Sequence, residues 1–124
     1  MNRIISSKNA PKAIGPYSQA IQSDDFLFVS GQLPIDPVTG IMSDDVSLET
    51  KQSLENIKAI VLEAGFKLTD IVKCTVYLQN MNDFTAMNMV YENFFGSHHP
   101  ARVAVEVAKL PKNALVEIDA ICHK

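Results

Sequence analysis

Two side chains near the C-terminus have the types and spacing to act on a small anionic molecule. Arg102 opens an aliphatic alternating run, Arg102–Val107 (RVAVEV). There Val103, Val105 and Val107 fall on one face of a strand, and Arg102, Ala104 and Glu106 on the other. Pro100 lacks a backbone donor and biases His99 toward extended backbone, which predicts a strand beginning at the arginine. A guanidinium is a planar fork of donors that suits a carboxylate, whether the protein's own or a ligand's. Glu117 stands in the next alternating run, Leu115–Cys122 (LVEIDAIC), with Asp119 two positions on. The short turn at Pro111–Asn113 predicts antiparallel neighbours, with Arg102 and Glu117 projecting from the face that helices leave bare. Glu117 is then either the structural ion-pair partner of Arg102 or a general base holding a water for attack.

Other candidates carry weaker signals. Tyr17, in GPYSQ, is a hydrogen-bond donor or a packing residue at a strand start. Ser30-Gly31 either ends a strand or offers backbone groups to a ligand, because glycine lets another group approach closely. Asn88 lies beside the apolar stripe of a helix and is a ligand contact or a loop brace. His98 and His99 are adjacent, project apart on extended backbone and have no evident third metal ligand. The sequence has no Ser-His-Asp arrangement, phosphate-cradling glycine loop or zinc spacing, so the expectation is chemistry without metal or organic cofactor.

The length of 124 residues predicts one domain, able to bury roughly two-thirds of its unfolded surface. A composition 47% hydrophobic and 20% charged is that of an ordinary globular chain. A net charge of −3 without a Lys/Arg cluster argues against a nucleic-acid partner. Cys74 and Cys122 fall in apolar alternating runs and read as buried, reduced thiols. No secretory leader or run of ~20 apolar residues is present, which predicts a cytoplasmic protein with no membrane partner.

These residues must be positioned by about six strands and two helices. Asn2–Ser6, Tyr17–Gln22 and Phe26–Ser30 (FLFVS) are the first three strands. A helix over Leu48–Ala64 follows, capped by Ser47, with Leu54, Ile57, Val61 and Ala64 on its apolar side. Gly65 supplies its left-handed stop. Ile71–Gln79 (IVKCTVYLQ) is a strand with Val72, Cys74, Val76 and Leu78 inward. A second helix runs from a cap at Asn82 or Asp83 to Phe95, with Phe84, Met87, Tyr91, Phe94 and Phe95 as core. The order β-β-β-α-β-α-β-β predicts an α+β fold with both helices on one sheet face. The other face, with part of FLFVS, Ala104, Leu115 and Ile121, needs a partner subunit to cover it.

Six stretches in order make the chain resemble the RidA/YjgF reactive-intermediate deaminase family over essentially its full length. They are Asn9–Gln19 (NAPKAIGPYSQ), Ser30–Gly40 (SGQLPIDPVTG), Gln52–Gly65 (QSLENIKAIVLEAG), Asp70–Phe84 (DIVKCTVYLQNMNDF), Tyr91–Phe95 (YENFF) and Pro100–Ile118 (PARVAVEVAKLPKNALVEI). The resemblance implies a single RidA-like domain over 1–124, a chorismate-mutase-like six-stranded mixed sheet with two helices, and a homotrimer with clefts between subunits. It implies hydrolysis of 2-imino acids, formed from enamines such as 2-aminoacrylate, to 2-keto acids and ammonia. That activity protects pyridoxal-phosphate enzymes and needs no cofactor.

Carried onto this sequence, the resemblance makes Arg102 the clamp for the substrate carboxylate and Glu117 the residue that positions water. Ser30-Gly31, Asn88 and Ala104 line the cleft, and Tyr17 reaches in from a neighbouring subunit. Many members carry cysteine where Ala104 stands and phenylalanine where His99 stands, and have a longer loop before the arginine. Two other functions are open at this point. One is a metabolite-binding regulator without turnover; the other, disfavoured by the acidic balance, is a translation-inhibiting endoribonuclease.

Overall fold

The computed structural model describes residues 1–124. Six strands form one mixed sheet: β1 (Arg3–Ile5), β2 (Ala20–Ser23), β3 (Phe26–Gln32), β4 (Ile71–Leu78), β5 (Ala101–Glu106) and β6 (Val116–His123). Helix α1 (Val46–Glu63) joins β3 to β4, and α2 (Phe84–Phe95) joins β4 to β5. The spatial order is β1-β2-β3-β6-β4-β5, with only β4 and β5 parallel among neighbours. Both helical crossovers therefore step the same way across the sheet. With the usual right-handed connection this puts both helices on one face. The predicted α+β layout is the observed one.

The last strand enters the sheet between β3 and β4, so β5 is an edge strand and β6 is not its neighbour. This corrects the expected antiparallel pairing of the Arg102 and Glu117 strands. A turn beginning at Pro111 does not fix which position the next strand takes, and β6 fills the gap left by the β3–α1–β4 crossover.

β6 alternates cleanly. Val116, Ile118, Ala120 and Cys122 are buried beneath the helices, while Glu117, Asp119 and Ile121 are half-buried on the open face. On α1, Leu54, Ile57, Ile60 and Val61 are fully buried against this surface. Each such side chain contributes about 1.5–3 kcal/mol relative to exposure. Glu49, also buried, accepts the Leu115 N–H at 2.8 Å and ties α1 to the entry of β6. Cys74 and Cys122 are buried free thiols, pushed by burial to about 11 and about 12.

Three local expectations shift. α1 is capped by Asp45, whose Oδ2 accepts the Leu48 N–H at 3.0 Å, and not by Ser47. Asp45 adds a negative charge beside the helix N-terminus, which the helix dipole favours. Between Ile71 and Lys73 the β4–β6 register slips; Ile71 turns into the core and Val72 is left exposed. FLFVS is not enclosed on both sides in the monomer. Leu27 and Val29 are buried, but Phe26 and Phe28 remain 43% and 44% exposed on the open face.

Candidate active site

Strand register decides where Arg102 points. It pairs with Cys74 of β4, and Ala104 with Val76; both β4 residues are buried on the helix side. Arg102 and Ala104 therefore face the helices. Val103 and Val105, whose alternation resembles a core face, are exposed on the open one. The expected placement of Arg102 on the bare face is thus reversed. As β5 is an edge strand, its helix-side residues emerge beside α2, leaving Arg102 exposed at the rim.

α2 receives this arginine. Phe84, Asn88 and Tyr91 follow the i, i+4, i+7 spacing of one helix face. The Arg102 Nη1 donates to Asn88 Oδ1 at 2.7 Å. Its guanidinium carbon lies 4.8 Å from the Tyr91 ring centroid and 5.4 Å from that of Phe84. Asn88 is thus a hydrogen-bond partner of the arginine. This is the only hydrogen bond Arg102 makes, so its Nε–Nη2 edge remains free. His99 and Pro100 line the same hollow. His98 instead donates from Nε2 to the Ile71 carbonyl at 2.7 Å and braces the chain behind α2. Ala104 packs half-buried against the core under α2 and is not part of the Arg102 hollow.

Glu117 occupies a different place. It pairs with Tyr77 across β6–β4 and projects from the open face. The β3–β6 ladder slips between Val29 and Gln32, which leaves Ser30 and Gly31 out of register beside it. The carboxylate lies across Gly31, where any Cβ would collide with it. Gly31, Tyr17, Lys12, Lys112 and Glu117 share a hollow of about 430 Å³. Burial, and secondarily the charge of Asp119, raises the Glu117 pKa above its ordinary 4.5. Asp119 is itself held by the Tyr77 hydroxyl at 3.0 Å and the Thr75 N–H at 3.1 Å. Ser30 lies behind the hollow rather than in it. Its N–H donates to the Gln19 carbonyl at 2.9 Å and its hydroxyl to the Ser18 carbonyl at 2.6 Å.

The candidate residues therefore fall into two groups: Arg102 with Asn88 at the β5 rim, and Glu117 with Gly31 and Tyr17 on the open face. No hydrogen bond or ion pair joins Arg102 to Glu117. Across two strand spacings and about three residues of strand, their Cα positions differ by roughly 10 Å in each direction, with side chains on opposite faces. Sequence reasoning missed Phe84 and Tyr91 as arginine contacts, although their spacing around Asn88 carried that information. It also missed Lys12 and Lys112, for which no pattern pointed to Glu117.

A mixed sheet with two helices on one face, an edge arginine and a carboxyl over a glycine bulge place the chain among small α+β proteins. The family model described as Endoribonuclease L-PSP matches residues 7–124. A 2-iminobutanoate/2-iminopropanoate deaminase of Salmonella typhimurium is 51% identical, with 98% of this chain and 97% of that protein covered. A RutC family protein of Pyrococcus horikoshii is 58% identical over 100% of this chain and 99% of its own length. The crystal structure of Escherichia coli TdcF with bound serine superposes with a TM-score of 0.96 at 45% identity, covering 98% of each chain. The chain belongs to the RidA/YjgF family.

Proposed function

We propose that this protein hydrolyses 2-imino acids such as 2-iminobutanoate and 2-iminopropanoate to 2-keto acids and ammonia. The observation that carries the reading is the exposed Arg102, whose guanidinium keeps the Nε–Nη2 edge of its fork without a hydrogen-bond partner in the chain. That edge matches a carboxylate bidentately. The deaminase name of the Salmonella relative supports the reaction, and the serine in TdcF supports a ligand of amino-acid size and charge.

In the proposed mechanism Arg102 binds the carboxylate and fixes the electrophilic imine carbon. Glu117, as carboxylate, takes a proton from water, whose oxygen bonds to that carbon. The Glu117 proton then passes to the carbinolamine nitrogen; as the C–N bond breaks and ammonia leaves, the hydroxyl O–H electrons form the C=O bond and its proton returns to Glu117, leaving the keto acid. Its raised pKa suits it to both roles. Gly31 keeps the carboxylate space open, and Tyr17 lines the same hollow.

A small imino acid does not span two residues on opposite faces of one sheet. The proposed site is therefore composite, with Arg102 and Asn88 from one subunit of a homotrimer and Glu117, Gly31 and Tyr17 from its neighbour. The exposed Phe26, Phe28, Val103 and Val105 support assembly through the open face. We place the activity in the cytoplasm, where it would protect pyridoxal-phosphate enzymes. No helix is long and apolar enough to cross a membrane.

The test generates the imine in situ with a threonine or serine dehydratase, with semicarbazide as competing trap. The native protein should suppress semicarbazone formation and accelerate keto-acid release, whereas Arg102→Ala should do neither. Equal semicarbazone yields with and without native protein would refute the deaminase function.

A further inference from the structure

The aromatic stripe of α2 accounts for more than packing. Met87 and Phe95 are buried in the core, but Tyr91 and Phe84 also turn ring faces toward an exposed arginine, 4.8 Å and 5.4 Å from its guanidinium carbon. Tyr91 cannot yield. It is 7% exposed, packed 4.8 Å from the Phe95 ring, and rests beside the thiol of Cys74, the register partner of Arg102 on β4. Its buried hydroxyl has no nitrogen or oxygen partner, so the ring and not the hydroxyl acts on Arg102.

An arginine at a sheet rim samples many rotamers, and each must be abandoned when a ligand binds. Here the two rings restrict the guanidinium plane, and Asn88 fixes its rotation within that plane through Nη1. We propose that Tyr91 and Phe84 are positioning residues that hold the Nε–Nη2 edge of Arg102 ready for a carboxylate. The proposal rests on the deaminase reading only for the identity of that carboxylate. Pre-ordering lowers the entropy lost on binding and should be expressed in ligand affinity.

The test measures 2-oxobutanoate binding by calorimetry, imine turnover, and the Arg102 Nε–H resonance, which the rings should shift upfield. Tyr91→Leu should weaken 2-oxobutanoate binding about tenfold, raise KM in parallel and leave kcat nearly unchanged. It should also move the resonance downfield, and restoring a ring with Tyr91→Phe should rescue affinity and shift together. Phe84→Leu, at a half-buried position and so less disruptive, should weaken binding about threefold. Affinity within about twofold of native in both leucine variants would overturn the proposal, as would a fall in kcat with KM unchanged. Native protein that binds 2-oxobutanoate through a ring-shifted Arg102 but hydrolyses no imine would retain the clamp and refute the deaminase reading. Native protein that binds no carboxylate would refute the clamp.

Discussion

At the scale of single residues, Glu117 has the most to explain. Burial and Asp119 hold its pKa above the ordinary 4.5, so the charged base is lost earlier on acidification than for a free carboxylate. Activity should be full above the raised pKa and should fade as pH falls through it. Glu117→Gln should keep 2-oxobutanoate affinity, lower kcat by about 10²–10⁴ and remove the acid limb of the kcat profile. Stability runs with the opposite sign. A carboxyl whose folded pKa is raised favours folding most fully below its unfolded value and loses that contribution as pH rises through the folded value. At pH 7 Glu117→Gln should therefore be at least as stable as the native chain in urea denaturation. Full turnover by that variant would remove Glu117 from the catalytic machinery.

Gly31 is the companion case. Its backbone is not in the left-handed region, and the nearest atoms a Cβ there would meet are those of the Glu117 side chain. Gly31→Ala should fold with a stability change within about 1 kcal/mol, yet displace the carboxylate and lower kcat. A variant with native kcat would show that the carboxylate position over Gly31 is immaterial.

At the scale of elements, periodicity revealed what each segment is but not always which way it faces. α1 and α2 were legible because their apolar residues recur at helical spacing, and β6 because every second residue is apolar. β5 alternates just as well, yet its two valines resembled a core face and are not one. Alternation separates two faces without saying which is inside; that was decided by parallel pairing with β4, a contact set by α2 and not by any residue in β5. Val72 was misread for a related reason. A one-residue slip reverses every side chain beyond it, and nothing in IVKCTVYLQ marks the slip. Asp45 and Ser47 are both good caps two residues apart, and sequence alone offers little to rank them.

At the scale of the molecule, Arg102 and Glu117 were both legible as reactive candidates, but their separation was not. The insertion of β6 between β3 and β4 is a long-range event. It separates an expected neighbouring pair, and strand register leaves the two side chains on opposite faces. The proposed oligomer reunites them, and this makes a demand that a single-subunit site does not. Arg102→Ala and Glu117→Gln should each be inactive alone, while subunits exchanged between them should form junctions with an intact arginine on one side and an intact glutamate on the other.

In a closed trimer every mixed assembly holds one such junction, so random exchange of equal amounts should recover about one quarter of native imine hydrolysis. The measurement is keto-acid release in the semicarbazide-trap assay after the two variants are unfolded, mixed and refolded together. Recovery near one quarter is the predicted result. A mixture no more active than its separate components, beside a fully active native protein refolded in the same way, would contradict the composite site.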